Sequence, residues 1–157
     1  MLHLACHATV RADRNRTAQL LLRGGSLSAE ELTDAVAAVP GRLGLVLLAA
    51  CRSHVSGRGH DEAFSLATAF LVAGARSVVG SLWPVPDEAT SVLMYLIHHH
   101  LRVDHMPPAR ALRQAQLWMV GAVPALPPGL PPELAARARR VDRRDPRNWA
   151  AFTHLGH

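Results

Sequence analysis

The sequence contains no lysine, only two cysteines and few aromatic residues. All 17 residues counted as lysine or arginine are arginine, and Phe, Trp and Tyr together make up 4% of the chain. Without lysine there is no phosphate-binding loop of the Gly-x-x-x-x-Gly-Lys type, so a nucleotide hydrolase built on that loop is excluded. Two cysteines in 157 residues cannot form the disulfide framework typical of small secreted domains.

Long apolar runs and a leading signal segment are also missing. No apolar run approaches the ~20 residues that a membrane helix needs, and no signal peptide precedes the first predicted strand. We therefore expect a cytoplasmic protein in a reducing compartment, with no membrane partner. The length predicts one domain with a sizeable buried core.

Positive charge is concentrated near the end of the chain, although the formal net charge is only +5. Six arginines lie in a proline-rich segment at about 121–148 that we interpret as a connector: Arg137, Arg139, Arg140, Arg143, Arg144 and Arg147. Asp142 and Asp145 interrupt this cluster, and no stacking aromatic residue lies near it in sequence until Trp149. The pattern favours a solvated connector over a nucleic-acid interface, so no nucleic-acid partner is expected.

Apolar strand patterns alternate with helical ones along most of the chain. Strands are predicted at 2–6, 17–22, 45–50, 76–82 and 149–155, and residues 23–26 are predicted as a turn. Helices are predicted from the capping box Ser28–Glu31 to Pro40, and at 61–73, 87–101, 107–118 and 132–140. This alternation indicates βαβ units, and hence an α/β fold with a doubly wound, mostly parallel sheet.

Two reactive side chains each follow a short apolar strand pattern. His7 comes just after the strand at 2–6, and Cys51 just after the strand at 45–50. In an open α/β sheet, the carboxyl ends of parallel strands border the crevice where chemistry occurs. A thiolate stabilised by a neighbouring imidazole is a strong nucleophile. The pair predicts a thiol protease, whereas Cys51 taken alone would favour a buried structural thiol.

Four separate blocks of the sequence resemble CHAT domains in content and order. The blocks are His3-Leu4-Ala5-Cys6-His7, residues 47–53 around Cys51, residues 73–90 from Ala73 to Thr90, and Trp149-Ala150-Ala151-Phe152. CHAT domains are caspase-like domains, often joined to tetratricopeptide repeats in bacterial proteins, and are similar to separases. The resemblance covers most of the chain.

This resemblance implies a caspase-like, three-layer α/β/α fold whose mostly parallel sheet is incomplete at its N-terminal side. It also implies a cysteine endopeptidase without a cofactor, in which Cys51 is the nucleophile and His7 its partner. The backbone N–H groups of Ala8 and Cys51 would form the oxyanion hole, although many caspase-like enzymes have glycine at the position of Ala8. The implied partners are a protein or peptide substrate, and repeats or a partner protein that gate the activity.

Asp87 and Asp61 are candidate substrate-binding residues with a second interpretation each. Separases resemble the segment around Asp87 and cleave after arginine, which a carboxylate can bind through two hydrogen bonds. Asp87 would equally serve as the N-cap of the helix at 87–101. For Asp61 the N-cap interpretation is favoured over substrate binding.

Other histidines and cysteines give weaker signals. His3 and His7 share one strand face, but no third ligand is spaced to join them, so no metal site is expected. The run His98-His99-His100 suits the C-terminus of a helix. Two rival functions remain open: a catalytically silent CHAT-like scaffold for protein interactions, and a redox sensor in which Cys51 or Cys6 oxidises reversibly.

Overall fold

The first half of the chain alternates strands and helices, and the second half is mainly helical. A computed structural model describes residues 1–10, 18–37, 43–49, 65–123 and 126–157. The strands are β1 (Leu2–Leu4), β2 (His7–Val10), β3 (Ala18–Leu22), β4 (Gly25–Ser28), β5 (Leu45–Leu48), β6 (Ser77–Ser81) and β7 (Phe152–Gly156). The helices are α1 (Ala29–Ala37), α2 (Leu66–Val72), α3 (Asp87–Arg102), α4 (Pro108–Met119) and α5 (Pro132–Arg140). Within these ranges, no helix has the length and apolarity needed to span a bilayer.

Four strands form a mixed, mostly parallel sheet in the order β1-β5-β6-β7. β5 pairs in parallel with β1 on one side and with β6 on the other. All four residues of β5 are buried, as expected for an interior parallel strand covered on both faces. The predicted α/β class with a mostly parallel sheet is thereby confirmed.

A second, three-stranded antiparallel sheet in the order β2-β3-β4 was not predicted. The strand predicted at 2–6 ends at Leu4, and His7 begins a new strand that pairs with β3. The predicted turn at 23–26 is confirmed at Arg23 and Gly24 but ends earlier than predicted, because Gly25 and Ser26 already belong to β4. The turn itself contains only Arg23 and Gly24, and Gly24 has a φ of 98° that glycine adopts without strain.

The chain divides into two compact units, of which the first comprises Met1–Pro84 and His154–His157. In this unit α1 and α2 share a buried apolar cluster with one face of the sheet, including Leu32, Leu66, Phe70, Val46, Leu48 and Val78. The predicted capping box begins α1. The Ser28 N–H donates to Glu31 Oε2 at 2.8 Å, and the Glu31 N–H donates to Ser28 Oγ at 3.1 Å.

The second unit, Val85–Thr153, is built around α3, α4 and α5. Arginines of the predicted connector make specific contacts within it. Arg137 donates to Ser91 Oγ at 2.9 Å, and Arg140 pairs with Glu88 at 2.7 Å. Arg143 lies 4.3 Å from the centre of the Trp118 ring and donates to the carbonyl oxygens of Trp118 and Met119. Because the last carbonyls of a helix have no partner within it, Arg143 caps α4.

Within the first unit, hydrogen bonds connect the end of the last strand, β7, to the residues at the start of β6. Ser77 Oγ lies 2.6 Å from His154 Nε2, and the His157 N–H donates to the Arg76 carbonyl oxygen at 2.9 Å. Ser77 is 1% exposed, and burial lowers the pKa of His154 below its ordinary value. The folded protein therefore favours the neutral imidazole, whose Nε2 accepts a hydrogen bond from the serine hydroxyl or donates one to it, depending on the tautomer.

The Ser77–His154 pair predicts that the protein loses stability in mild acid. Because the folded-state pKa of His154 is lowered, its contribution is full above the unfolded value of about 6.5 and is lost as pH falls through the folded value. We expect the free energy of unfolding, from urea titrations, to fall between about pH 7.5 and about pH 5. His154→Gln should flatten that decline. Part of the decline should remain, because partial desolvation also lowers the pKa of His3. Ser77→Ala should lower the free energy of unfolding by about 1–2 kcal/mol at the higher pH. A pH dependence that is unchanged in His154→Gln would refute the contribution of His154 to this loss of stability.

Candidate functional site

His7 lies where the chain passes from the four-stranded sheet to the antiparallel one. β1 ends at Leu4, two residues follow, and His7 is the first residue of β2. The side chain of His7 is exposed, as are those of His3 and Ala5, whereas Leu4 and Cys6 are partly buried against the core. The alternation follows the period-2 rule, and it presents the imidazole to solvent away from the core of α1 and α2.

The register between β1 and β5 relates His7 to the position of Cys51 in the sequence. Leu2 pairs with Val46, and Leu4 with Leu48, so paired residues differ by 44 positions. Ladder bonding continues one residue further, since the Ala49 N–H donates to the Leu4 carbonyl oxygen at 3.0 Å. Cys51 and Asp61 themselves lie outside the described residues. In sequence, His7 and Cys51 also differ by 44 positions, and each is the third residue after the last paired position.

The backbone N–H of Ala8 points away from the neighbouring strand β3. Leu22 and Gly25 flank the two-residue turn and form its hydrogen-bonded pair. Because hydrogen-bonding direction alternates along a strand, Leu21 bonds towards β2 and forms a hydrogen-bonded pair with His7. The N–H of the next residue, Ala8, therefore faces the outer edge of β2. Among the described non-glycine residues only His105 has a positive φ, so Ala8 has no need of glycine's conformational freedom.

Cys6 is a poor candidate for reactive chemistry. It packs, partly buried, against the core cluster that contains Leu48, as does Leu4, and this burial raises the pKa of its thiol. A raised pKa leaves less thiolate at neutral pH, and the thiolate is the reactive form. In the described part of the chain no three His, Cys, Asp or Glu side chains are grouped so that they could hold a metal ion.

Asp87 opens α3, but it is not the N-cap. The cap position is occupied by Pro86, which makes no side-chain capping bond, and Asp87 is the first helical residue. The N-cap interpretation of Asp87 was therefore wrong. Its exposed carboxylate lies in the first turn together with Glu88, where negative charge suits the helix dipole. The carbonyl oxygen of Asp87 accepts a hydrogen bond from Ser91 Oγ at 2.5 Å. The substrate-binding role of the Asp87 carboxylate stays a prediction.

One residue beside His7, Leu21, was not predicted as a site residue from the sequence. Leu21 is directly opposite His7 in the register of β2 and β3, and it is 43% exposed. Opposed residues of antiparallel strands share a face, with Cβ atoms about 4.5–5.5 Å apart. An exposed apolar side chain thus borders the imidazole. The signal in the sequence, a run of three leucines before Arg23-Gly24, indicates a strand but not the residue it faces.

Comparison with known proteins gives one family. The family model of the CHAT domain matches the chain over residues 1–157. No curated protein matches the chain significantly. The family match extends over the whole sequence, including both candidate dyad positions and the antiparallel sheet that carries His7.

Proposed function

This chain belongs to the CHAT domain family, whose members are caspase-like. We propose that it is a cysteine endopeptidase in which Cys51 and His7 form the catalytic dyad. The register of β1 and β5 is the observation that carries the proposal. Paired residues differ by 44 positions, as do His7 and Cys51. His7 and Cys51 therefore each come three positions after the last paired residue of two neighbouring parallel strands, and the carboxyl ends of such strands border the crevice where α/β proteins bind their ligands.

The proposed reaction begins with attack by the Cys51 thiolate on a peptide carbonyl carbon. The negative charge that develops on the carbonyl oxygen is stabilised by the N–H groups of Cys51 and Ala8. The outward direction of the Ala8 N–H supports that role. As the C–N bond breaks, the His7 imidazolium gives its proton to the leaving amine. Water then attacks the thioester, His7 takes a proton from that water, and Cys51 leaves as thiolate.

The imidazole of His7 is suited to this exchange of protons. It is exposed at the start of β2, so a substrate can reach it without displacing core side chains. A neutral imidazole carries one nitrogen that can accept a proton and one N–H that can donate, which suits a group that must give and take a proton in one cycle. Cys6, the neighbouring thiol, packs against the core, and this burial raises the pKa of its thiol, which favours Cys51 as the nucleophile.

We extend the proposal to substrate preference, compartment and regulation. Asp87 would bind an arginine before the scissile bond. Its carboxylate is exposed and does not cap α3, because Pro86 occupies the N-cap position. Asp61 would contribute to substrate binding in the same way. A thiolate nucleophile favours a reducing compartment such as the cytoplasm. Tetratricopeptide repeats or a partner protein outside these residues would gate the activity, as in related domains.

Covalent labelling tests this function directly. A peptidyl ketone warhead with arginine next to the ketone is expected to alkylate Cys51, located by mass spectrometry of the digested protein. Labelling should disappear in His7→Ala, because an isolated thiol at its ordinary pKa of about 8.5 is mostly protonated at neutral pH. A warhead with norleucine in place of arginine should label more slowly, and Asp87→Asn should abolish that difference.

Two results would count against the proposal. Labelling of Cys6 at the same rate as Cys51 would indicate general thiol reactivity rather than a dyad. A folded protein whose Cys51 stays unlabelled at any warhead concentration would favour the catalytically silent scaffold. Labelling of Cys51 that is indifferent to Asp87→Asn would remove only the proposed arginine preference.

A further inference from the structure

Leu21 is the apolar residue on a polar strand face beside His7. Around it on the same face of the antiparallel sheet are His7, Thr9, Gln19 and Ser26, as the registers of β2, β3 and β4 show. A single exposed leucine is common on protein surfaces. What distinguishes Leu21 is its place directly opposite the imidazole proposed to protonate the leaving group.

We propose that Leu21 contacts the substrate residue that follows the scissile bond and favours an apolar side chain there. This inference rests on the proposed function of His7. The proton that His7 donates goes to the leaving amine, and that nitrogen belongs to the residue after the scissile bond. The side chain of this residue starts one carbon away from the nitrogen. In directly opposed residues such as Leu21 and His7, the two Cβ atoms are about 5 Å apart. The side chain of the substrate residue that follows the scissile bond can therefore contact Leu21.

The expected preference is moderate, because Leu21 forms one wall rather than an enclosed pocket. At 43% exposed, it still offers apolar surface that a substrate can cover. Covering part of one leucine side chain is expected to change selectivity about fivefold. Leu22 supplies a matched control. It is the next residue of β3 and is 45% exposed, but it points to the opposite face of the strand.

Capture of the acyl-enzyme by amines tests the proposal without knowledge of the natural substrate. The acyl donors are N-acetyl dipeptide thioesters, used as a mixture. The members of the mixture differ in the residue whose carboxyl group forms the thioester. Leucinamide and serinamide compete for the acyl group, and mass spectrometry measures the ratio of the two amide products. In this step the amine nitrogen attacks the Cys51 thioester carbon, its proton passes to His7, and Cys51 leaves as thiolate.

Wild-type protein is expected to favour leucinamide about fivefold, Leu21→Ala to lose that preference, and Leu22→Ala to retain it. Products made by Cys51→Ala give the uncatalysed background. If enzyme-dependent products form but their ratio is the same in wild type and Leu21→Ala, the role of Leu21 is refuted while the peptidase proposal stands. If no donor gives enzyme-dependent product, both proposals fail. Equal loss of preference in Leu22→Ala would also overturn the inference, since it would show a general effect on the strand.

Discussion

Cys51→Ala and His7→Ala are each expected to lower kcat/KM for peptide cleavage by at least about 10³-fold, and the double variant to be no slower than Cys51→Ala alone. Without the thiolate no acyl-enzyme forms. Without the imidazole the thiol stays mostly protonated and the leaving amine receives no proton. Because the two groups act as one unit, removing the second after the first should change little. Steady-state kinetics on a cleaved peptide, with all four proteins at equal concentration, measure this cycle.

Two single variants serve as controls for that experiment. Cys6→Ala removes the other thiol, and His3→Ala removes the exposed imidazole of β1, four residues before His7. Both should keep kcat/KM within about threefold of wild type, since neither residue enters the proposed reaction. If the Cys51 and His7 effects instead multiply in the double variant, the two residues act independently and the dyad is refuted. A loss in Cys6→Ala as large as that in Cys51→Ala would mean that the nucleophile was misassigned.

The parallel sheet could be predicted from sequence because its strands carry a strong signal. β5 is apolar at every position, as an interior parallel strand requires, and β6 lies between Gly74, which ends the preceding helical segment with a φ of 91°, and a proline-containing segment. The capping box at Ser28 located the start of α1 to within a residue, since its hydrogen bonds are formed by residue types that rarely combine by chance. In these places local chemistry and tertiary structure agree.

The antiparallel sheet was missed because its strands carry a weak signal. β4 contains one glycine, two serines and one leucine, a composition poor in the β-branched and aromatic residues that favour strands. Ser28 ends β4 and also caps α1, so its capping signal concealed the strand before it. The consequence reaches the site, because both the direction of the Ala8 N–H and the neighbour of His7 depend on how β2, β3 and β4 pair.

For the site itself, the sequence could identify candidate residues but not their positions relative to one another. His7 and Cys51 were recognisable as reactive side chains after apolar runs, yet their separation of 44 positions has meaning only once the register of β1 and β5 is known. Register depends on side-chain packing on both faces of a sheet, which no single strand encodes. Leu21 illustrates the same limit, since an exposed leucine gains significance from the residue across the ladder and not from its own sequence neighbours.

Gly156→Ala is expected to destabilise the protein by about 3 kcal/mol, a large effect for one methyl group. A Cβ atom at this position would overlap the backbone carbonyl oxygen of Arg76 and lie 3.0 Å from its carbonyl carbon. The end of β7 would have to move away from Arg76, which breaks the bond from the His157 N–H and disturbs the 2.6 Å contact between Ser77 and His154. Loss of two hydrogen bonds adds to the strain of alanine at a φ of 95°.

Gly74→Ala separates these contributions, because it shares the backbone strain but not the overlap. Gly74 has a φ of 91°, and a Cβ atom built there meets nothing within 4 Å. Gly74→Ala should therefore lower the free energy of unfolding only by the backbone strain of alanine at a positive φ, about 1 kcal/mol. Urea titrations of the two variants at neutral pH, compared with wild type, measure the difference. Equal losses in both would show that the approach of β7 to Arg76 contributes nothing. A larger loss in Gly156→Ala that disappears in the background of His154→Gln would assign the effect to the Ser77–His154 hydrogen bond.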